Sequence, residues 1–366
     1  MSKDLSLAIG EAFRQAQRDN ARETTFMIQP FISAIIIILP KLIITMKFLF
    51  AFFLCFSLCS INQKLLAKQL NDTIYLADPT IFVDKGTYYL YGTSGDEGFL
   101  VYTSKDLKNW SRKAENSGYA LKKGETFGSK GFWAPQVFKR GNIYYMAYTA
   151  DEQIAIAKSK SPLGPFRQKT LKAISGSGKQ IDPFVFTDTD GKNYLYHVKL
   201  TNGNRIYVSE LKRDFSDIIP QTAKACLSGT EFWENTAKTD WPVTEGPTVI
   251  KKDNLYYLFY SANDFRNPDY AVGYAISKLP TGPWIKYSEN PIISRKLLKF
   301  NGTGHGDFFT DKDGALQYVL HTHHNNKKVS PRATAVIKTG FVKDKNGIYQ
   351  MQIDPGSFRF LMQGAN

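Results

Sequence analysis

Cysteine is scarce, with three in the chain, which excludes a scaffold stapled by disulfides. There is no paired-cysteine zinc site and no glycine-rich phosphate loop. Acidic residues are fewer than basic ones, 33 against 47 in 366 residues, a net charge of +14. The basic residues are scattered along the chain and form no stripe. They read as a solvated surface, and nucleic acid is not expected as a partner. Helical periodicity of useful length is missing after residue 65. Wholesale disorder is excluded as well, because 43% of the residues are hydrophobic and 22% charged. Aromatic residues are abundant, with 20 Tyr and 26 Phe, and this enrichment favours strands.

The first 60 residues differ from the rest. Met46-Lys47 is followed by the apolar run Phe48–Cys59 and by small residues up to Ser60. A basic start, a short apolar run and small residues describe a secretory signal peptide, too short for a standard spanning helix. The expected start is therefore Met46, with Met1–Thr45 as an upstream extension. Leu54 and Leu58 precede Cys55 and Cys59 where a lipoprotein signal needs a small residue, so lipid anchoring is disfavoured. The expected division is 1–60 as extension plus signal and 61–366 as one folded domain. The expected location is secreted or periplasmic, with no stable membrane insertion after cleavage. Cys226, the remaining thiol, reads as a buried small apolar residue.

After residue 70 the chain repeats itself. Five times a polar turn leads into a Tyr-rich strand: Gly86-Thr-Tyr-Tyr-Leu-Tyr, Gly141-Asn-Ile-Tyr-Tyr-Met-Ala-Tyr, Gly191-Lys-Asn-Tyr-Leu-Tyr, Asp253-Asn-Leu-Tyr-Tyr-Leu-Phe-Tyr and Gly314-Ala-Leu-Gln-Tyr-Val-Leu. A short apolar strand precedes each turn, so each pair reads as a hairpin. A third strand ending in Ser follows in most copies. With Asp78, Ala134, Asp182, Gly246 and Gly306 taken as equivalent, the periods are 56, 48, 64 and 60. Three or four strands in each of five such repeats predict an all-β, five-bladed β-propeller in a single domain. Residues 71–77 or the tail strands are expected to close the ring.

Each repeat opens on a short motif before its first strand: Ala77-Asp78-Pro79, Trp133-Ala134-Pro135, Ile181-Asp182-Pro183, Glu245-Gly246-Pro247 and His305-Gly306-Asp307. First strands line the channel of a propeller, so the five motifs should meet at one mouth of it. Three of them bring an acid, with Glu245 one position earlier than Asp78 and Asp182. Carboxylates that converge in a pocket repel, so at least one should have a raised pKa. A neutral carboxylic acid beside an ionised carboxylate is what glycosidic bond cleavage needs. Trp133 adds a flat apolar face suited to sugar C–H surfaces.

Five stretches carry a resemblance: Leu76-Ala-Asp-Pro-Thr-Ile, Phe132-Trp-Ala-Pro-Gln-Val, Ile181-Asp-Pro-Phe-Val-Phe, Thr244-Glu-Gly-Pro and Gly302-Thr-Gly-His-Gly. Over residues 72–366 the chain resembles glycoside hydrolase family 43, five-bladed propeller enzymes that act on arabinose- and xylose-containing polysaccharides. The resemblance implies that Asp78 is the general base, Glu245 the general acid, and Asp182 the residue that tunes the acid's pKa and orients it. It implies inversion of the anomeric configuration. It implies substrate contact by Arg332, in Ser330-Pro-Arg-Ala, and a calcium ion in the central channel held through water by His305. No cofactor is required for the chemistry itself. Gln136 departs from the acidic residue that often follows Trp-Ala-Pro in the family, which bears on polarity near the mouth.

The implied activity is a secreted, monomeric exo-glycosidase that removes terminal α-L-arabinofuranosyl or β-D-xylosyl residues from plant polysaccharides. The alternatives are an endo-arabinanase, an exo-galactanase, or a propeller that binds glycans without cleaving them. His321 and His323 would share a strand face, and a structural or substrate-binding role is expected for one of them.

Overall fold

The computed structural model describes residues 72–112, 115–176 and 178–364, with a few positions between 10 and 18. The signal peptide read at Met46–Ser60 lies outside the described residues, as does the upstream extension apart from those few positions. Among the described residues, no helix is long and apolar enough to cross a membrane.

Asp72–Asn366 form one compact unit, and it is a five-bladed propeller. Blade 1 contains Ala77–Asp84, Thr87–Thr93, Tyr102–Ser104 and Asn109–Arg112. Blade 2 contains Trp133–Arg140, Ile143–Ala150 and Gln153–Ser159, and its outer edge is continued by paired backbone bonds between Lys158 and Arg167. Blade 3 contains Gln180–Thr187, Asn193–Leu200, Asn204–Leu211 and Lys224–Leu227. Blade 4 contains Thr244–Lys252, Leu255–Ala262, Ala271–Ser277 and Ile285–Lys286. Blade 5 contains Gly304–Thr310, Leu316–Thr322, Ala333–Lys343 and Tyr349–Phe360. The tail strands thus complete blade 5. Closure is made at both ends of the unit: Met362–Gln363 pairs with Asn109 and Trp110 of blade 1, and the Ile74 N–H donates to Leu361 O at 2.9 Å.

The tyrosines of the repeat explain how neighbouring blades hold together. Tyr91, Tyr148, Tyr196, Tyr260 and Tyr318 are almost fully buried in the second strands, where they pack between sheets. Buried hydroxyls need partners. Tyr91 donates to Pro162 O of the next blade's turn, and Tyr196 does the same to Pro280 O one pair of blades later. On the rim, Asp84 of blade 1 accepts from Lys139 and Tyr144 of blade 2, both at 2.9 Å. Asp188, after blade 3's first strand, accepts from Lys251 at 2.6 Å and Tyr256 at 2.5 Å of blade 4.

All five blade openings share one backbone device. Asp78, Ala134, Asp182, Gly246 and His305 have φ of 49°, 47°, 55°, 57° and 40°. Each lies inside a register shift between the first and second strands, at Ala77/Thr80, Trp133/Gln136, Ile181/Phe184, Glu245/Thr248 and Gly304/Asp307. Such a bulge bends the strand and re-aims its side chains, here at a cost in left-handed backbone for four non-glycine residues. At the fourth opening only glycine fits, because a Cβ on Gly246 would sit 2.7 Å from the His305 ring.

The bulges correct the alignment of the fifth repeat. His305, not Gly306, is the equivalent of Asp78 and Asp182. Asp307 then matches Thr80, Gln136, Phe184 and Thr248 and does not match the prolines. The proline motif that anchors the register in the other four repeats is replaced here by Gly306, so the sequence offered no fixed point.

Candidate active site

The bulges turn the opening residues toward one end of the channel, and hydroxyls of neighbouring blades fix them there. Thr93 Oγ1 accepts the Ala134 N–H at 3.0 Å, Thr149 Oγ1 the Asp182 N–H at 2.9 Å, and Ser261 Oγ the His305 N–H at 2.8 Å. At the remaining two openings a functional group takes the same place. His321 Nδ1 accepts the Asp78 N–H at 3.1 Å, and Asp182 Oδ2 accepts the Gly246 N–H at 3.2 Å. A side chain of one blade therefore sets the backbone of the next.

Asp78, Asp182 and Glu245 come together as expected from the repeat, all of them buried. They line a cavity of about 470 Å³ with Trp133, Trp241, Asn204, Phe265, His305 and Arg332. That is within the size range of ordinary small-ligand sites. Trp133 and Trp241 are 38% and 48% exposed, so both offer an indole face to a ligand.

The three carboxyl groups have different partners. Asp78 accepts from Arg332 Nη1 at 2.9 Å on Oδ1 and from Thr93 Oγ1 at 2.7 Å on Oδ2. Burial, the largest single influence, raises its pKa, but the Arg332 guanidinium, the two neighbouring histidines and the Thr93 hydroxyl together outweigh it and hold the carboxyl well below the usual range. His305 and His321 also lie near, at 3.4 and 3.5 Å. Burial pushes both histidines down, with Arg332 adding to the effect, so they are neutral near pH 7 and the guanidinium is the cation that matters.

Glu245 has only neutral donors: Tyr270 Oη to Oε1 and Asn204 Nδ2 to Oε2, both at 2.8 Å. Burial pushes its carboxyl up to about 7, and the two donors offset part of that rise. Asp182 is raised well above the ordinary value by burial, then by the charges of Glu245 and Asp78. Close carboxyl groups titrate as a pair, so Asp182 and Glu245 together hold at least one proton near neutral pH.

The other expected site residues are also placed. Arg332 enters the pocket, packed over Phe265 at 4.6 Å, and is no surface ion pair. His305 Nδ1 stands 3.4 Å from Asp78 and 3.9 Å from Asp182, above a channel cavity of about 30 Å³ lined by Thr80, Gln136, Thr248 and Asp307. Gln136 lies in this channel and not at the mouth. It exchanges hydrogen bonds with the Val185 backbone and so joins blades 2 and 3. Ligand atoms of Asp182, Glu245 and His305 lie within 4.8 Å of one another. That closeness is accounted for by the carboxyl pairing just described. His321 is structural here, between Asp78 and the stacked Tyr270 ring 5.7 Å away. His323 donates to Phe265 O at 2.8 Å and supports the residue under Arg332.

Sequence reading did not find Thr93, Asn204, Trp241 or Tyr270. Thr93 ends a second strand at the position matched by Thr149, and that repetition was the available signal. The other three lie between the repeat motifs and carried none.

Comparison with known proteins gives one family. Glycosyl hydrolases family 43 matches residues 73–344. A β-D-galactofuranosidase of Aspergillus niger is 24% identical over 299 residues, covering 71% of this chain and 79% of that protein. A xylan 1,3-β-xylosidase of a Vibrio species is 26% identical over 272 residues, but the chain spans only 47% of its length. Among solved structures, an endo-1,4-β-xylanase from Bacteroides thetaiotaomicron superposes with a TM-score of 0.72 at 38% identity, covering 80% of this chain and 98% of that one. A thermostable family-43 glycoside hydrolase gives 0.69 at 34% identity, covering 76% and 93%. The family match runs across every blade opening from Asp78 to His305, and the chain belongs to glycosyl hydrolases family 43.

Proposed function

We propose that the protein is a secreted, inverting exo-glycosidase that removes terminal α-L-arabinofuranosyl or β-D-xylosyl residues from plant polysaccharides. One observation carries this reading. Within a single pocket, Asp78 is bound to a guanidinium while Glu245 is bound only by neutral donors. The first arrangement keeps a carboxylate ionised and the second, once desolvated, keeps a proton. Two carboxyl groups with opposed environments are the pattern of a base and an acid flanking a glycosidic bond.

In this reading Glu245 protonates the leaving oxygen while Asp78 takes a proton from the attacking water. Asp182 holds the Gly246 N–H, and so the backbone next to Glu245, and its proximity keeps the pair from ionising together. Arg332 keeps Asp78 charged. Trp133 and Trp241 give apolar walls for the sugar.

A second reading is endo-action on β-1,4-xylan. It is favoured by the 38% identity to a structure named as an endo-1,4-β-xylanase. The Aspergillus relative adds β-D-galactofuranosides to the substrates worth testing.

A calcium ion in the channel is also a proposal. The channel's donors fit a hydrated cation: the cavity is polar, and the half-buried Asp307 carboxyl at its wall is raised to about 6 by desolvation and hydrogen-bonded to Thr80 and the Phe308 N–H. The ion would be held through water by His305 and would steady the blade openings.

The test is hydrolysis of aryl α-L-arabinofuranoside, β-D-xyloside and β-D-galactofuranoside, with xylan and arabinan alongside, by the wild-type protein and by Glu245→Ala. Cleavage of one aryl pentoside, lost in the variant and first giving the inverted anomer by NMR, is the expected result. Activity on xylan or arabinan alone would transfer the reading to endo-action. Silence on every substrate would overturn hydrolysis and leave a glycan-binding propeller.

A further inference from the structure

Trp241 does more than line the pocket. Its indole Nε1 donates to Asn204 Oδ1 at 2.9 Å, and Asn204 Nδ2 donates to Glu245 Oε2 at 2.8 Å. An indole N–H can only donate. It therefore selects which way the Asn204 amide faces: oxygen toward Trp241, NH₂ toward Glu245. Without that N–H the amide could turn over and present its oxygen to the Glu245 carboxyl.

The surroundings make this arrangement rigid. Asn204 is tied to the segment leading into Glu245, with its N–H on Pro242 O at 2.9 Å and its carbonyl accepting from Thr244 Oγ1 at 3.0 Å. Trp241 sits on the connection between Lys224–Leu227 and Thr244–Lys252. That connection is anchored by Glu234, fully buried, which accepts from Lys286 at 2.6 Å, Tyr260 at 2.6 Å and the Thr230 and Glu231 N–H groups at 2.7 Å. A buried charge satisfied by four donors fixes a loop in a way that surface contacts do not. Nearer Trp241, Thr239 Oγ1 donates to Trp241 O at 3.1 Å. Trp241 is 48% exposed and lines the cavity.

We propose that Trp241 is a positioning residue for Glu245, acting through Asn204, so that the indole on which a sugar can rest also orients the carboxyl group that protonates the leaving oxygen. Tyr270 holds the other carboxyl oxygen, so the plane of the Glu245 group is set from both sides. Substrate contact and acid orientation thereby share one side chain. This rests on the reading of Glu245 as the general acid.

The test uses the full chain and the 2,4-dinitrophenyl and phenyl glycosides of the pentose that wild type cleaves, or of xylobiose if only endo-action is found. A dinitrophenolate leaves without protonation, whereas a phenolate needs the acid. Trp241→Phe keeps an aromatic wall and removes the N–H. It is expected to lose about tenfold more kcat on the phenyl glycoside than on the dinitrophenyl glycoside, a fraction of the whole general-acid effect. Asn204→Leu is expected to give the same profile by removing the middle of the relay, and it answers the question if Trp241→Phe does not fold. Equal losses on both glycosides, or a change in KM alone, would reduce Trp241 to a wall and overturn the proposal. Glu245→Gln separates the two readings. A steep leaving-group dependence there with a flat one in Trp241→Phe defeats only the relay. A flat dependence in Glu245→Gln defeats the assignment of the acid.

Discussion

Replacing Arg332 with methionine removes the cation that keeps Asp78 ionised and retains much of the packing on Phe265. At 2.9 Å, and with an effective dielectric of about 20, the Coulomb attraction is about 6 kcal/mol, an upper figure before desolvation is counted. Breaking a buried pair by removing one partner costs about 3–5 kcal/mol. At about 1.4 kcal/mol per pK unit this raises the Asp78 carboxyl by about 2–4 units. Burial, the largest influence on this group, is then opposed mainly by the Thr93 hydroxyl and the neighbouring histidines. A base must be ionised to act, so activity is present above its pKa and falls below it. In wild type that fall lies far into acid, because the folded pKa is depressed. In Arg332→Met it should move up by that amount, into the ordinary carboxylate range of about pH 3–5. The assay is kcat/KM against pH on the aryl glycoside that the protein cleaves, reading the position of the acid limb. A general loss of substrate affinity would lower the whole curve without moving the limb. Arg332→Lys, which keeps a charge but loses the planar fork, should move it less. An Arg332→Met profile whose acid limb stays where that of wild type lies would refute the claim that the guanidinium keeps the base charged. Stability changes in the same sense: the pair stabilises the fold above the ordinary aspartate pKa, and that stabilisation is lost as pH falls through the depressed folded value. The variant should thus lose most, by urea unfolding, near neutral pH.

Three further outcomes are expected. Asp182→Asn keeps an acceptor for the Gly246 N–H and removes a buried charge whose folded pKa is raised. It should increase Tm more at pH 8 than at pH 5, because the wild-type penalty grows as pH rises through that value; an equal change at both would count against the carboxyl pairing. Asp188→Ala leaves Lys251 and Tyr256 without their shared acceptor between blades 3 and 4 and should cost about 1–3 kcal/mol in urea unfolding at pH 7, with less cost in acid, since this carboxyl's folded pKa is lowered. Stripping divalent cations with a chelator should lower Tm, and calcium should restore it, by about 2.7 kcal/mol of stability at 100 times the Kd; an unchanged Tm would remove the channel ion.

The sequence by itself determined the architecture and the acids. Five Tyr-rich hairpins at a long period admit a propeller and little else, because each sheet can bury its faces only against the next. Asp78, Asp182 and Glu245 were legible because repetition places the same backbone position at the same channel mouth, and their function class followed from three carboxylates meeting there. The offset of Glu245 by one residue was also readable, and in the fold Glu245 precedes the left-handed residue of its bulge, Gly246, whereas Asp78 and Asp182 are themselves the left-handed residues of theirs. The tertiary structure decided what each acid can do. A carboxyl's ionisation depends on which neighbour it meets, and those neighbours come from elsewhere in the chain: Arg332 lies 254 residues from Asp78, and Asn204 lies 41 from Glu245. Their positions follow no period, so no pattern announced Tyr270, Asn204 or Trp241. The same holds for the fifth opening, where His305 takes the place of an aspartate. Without a proline to mark the register, only the folded bulge shows which residue turns into the channel.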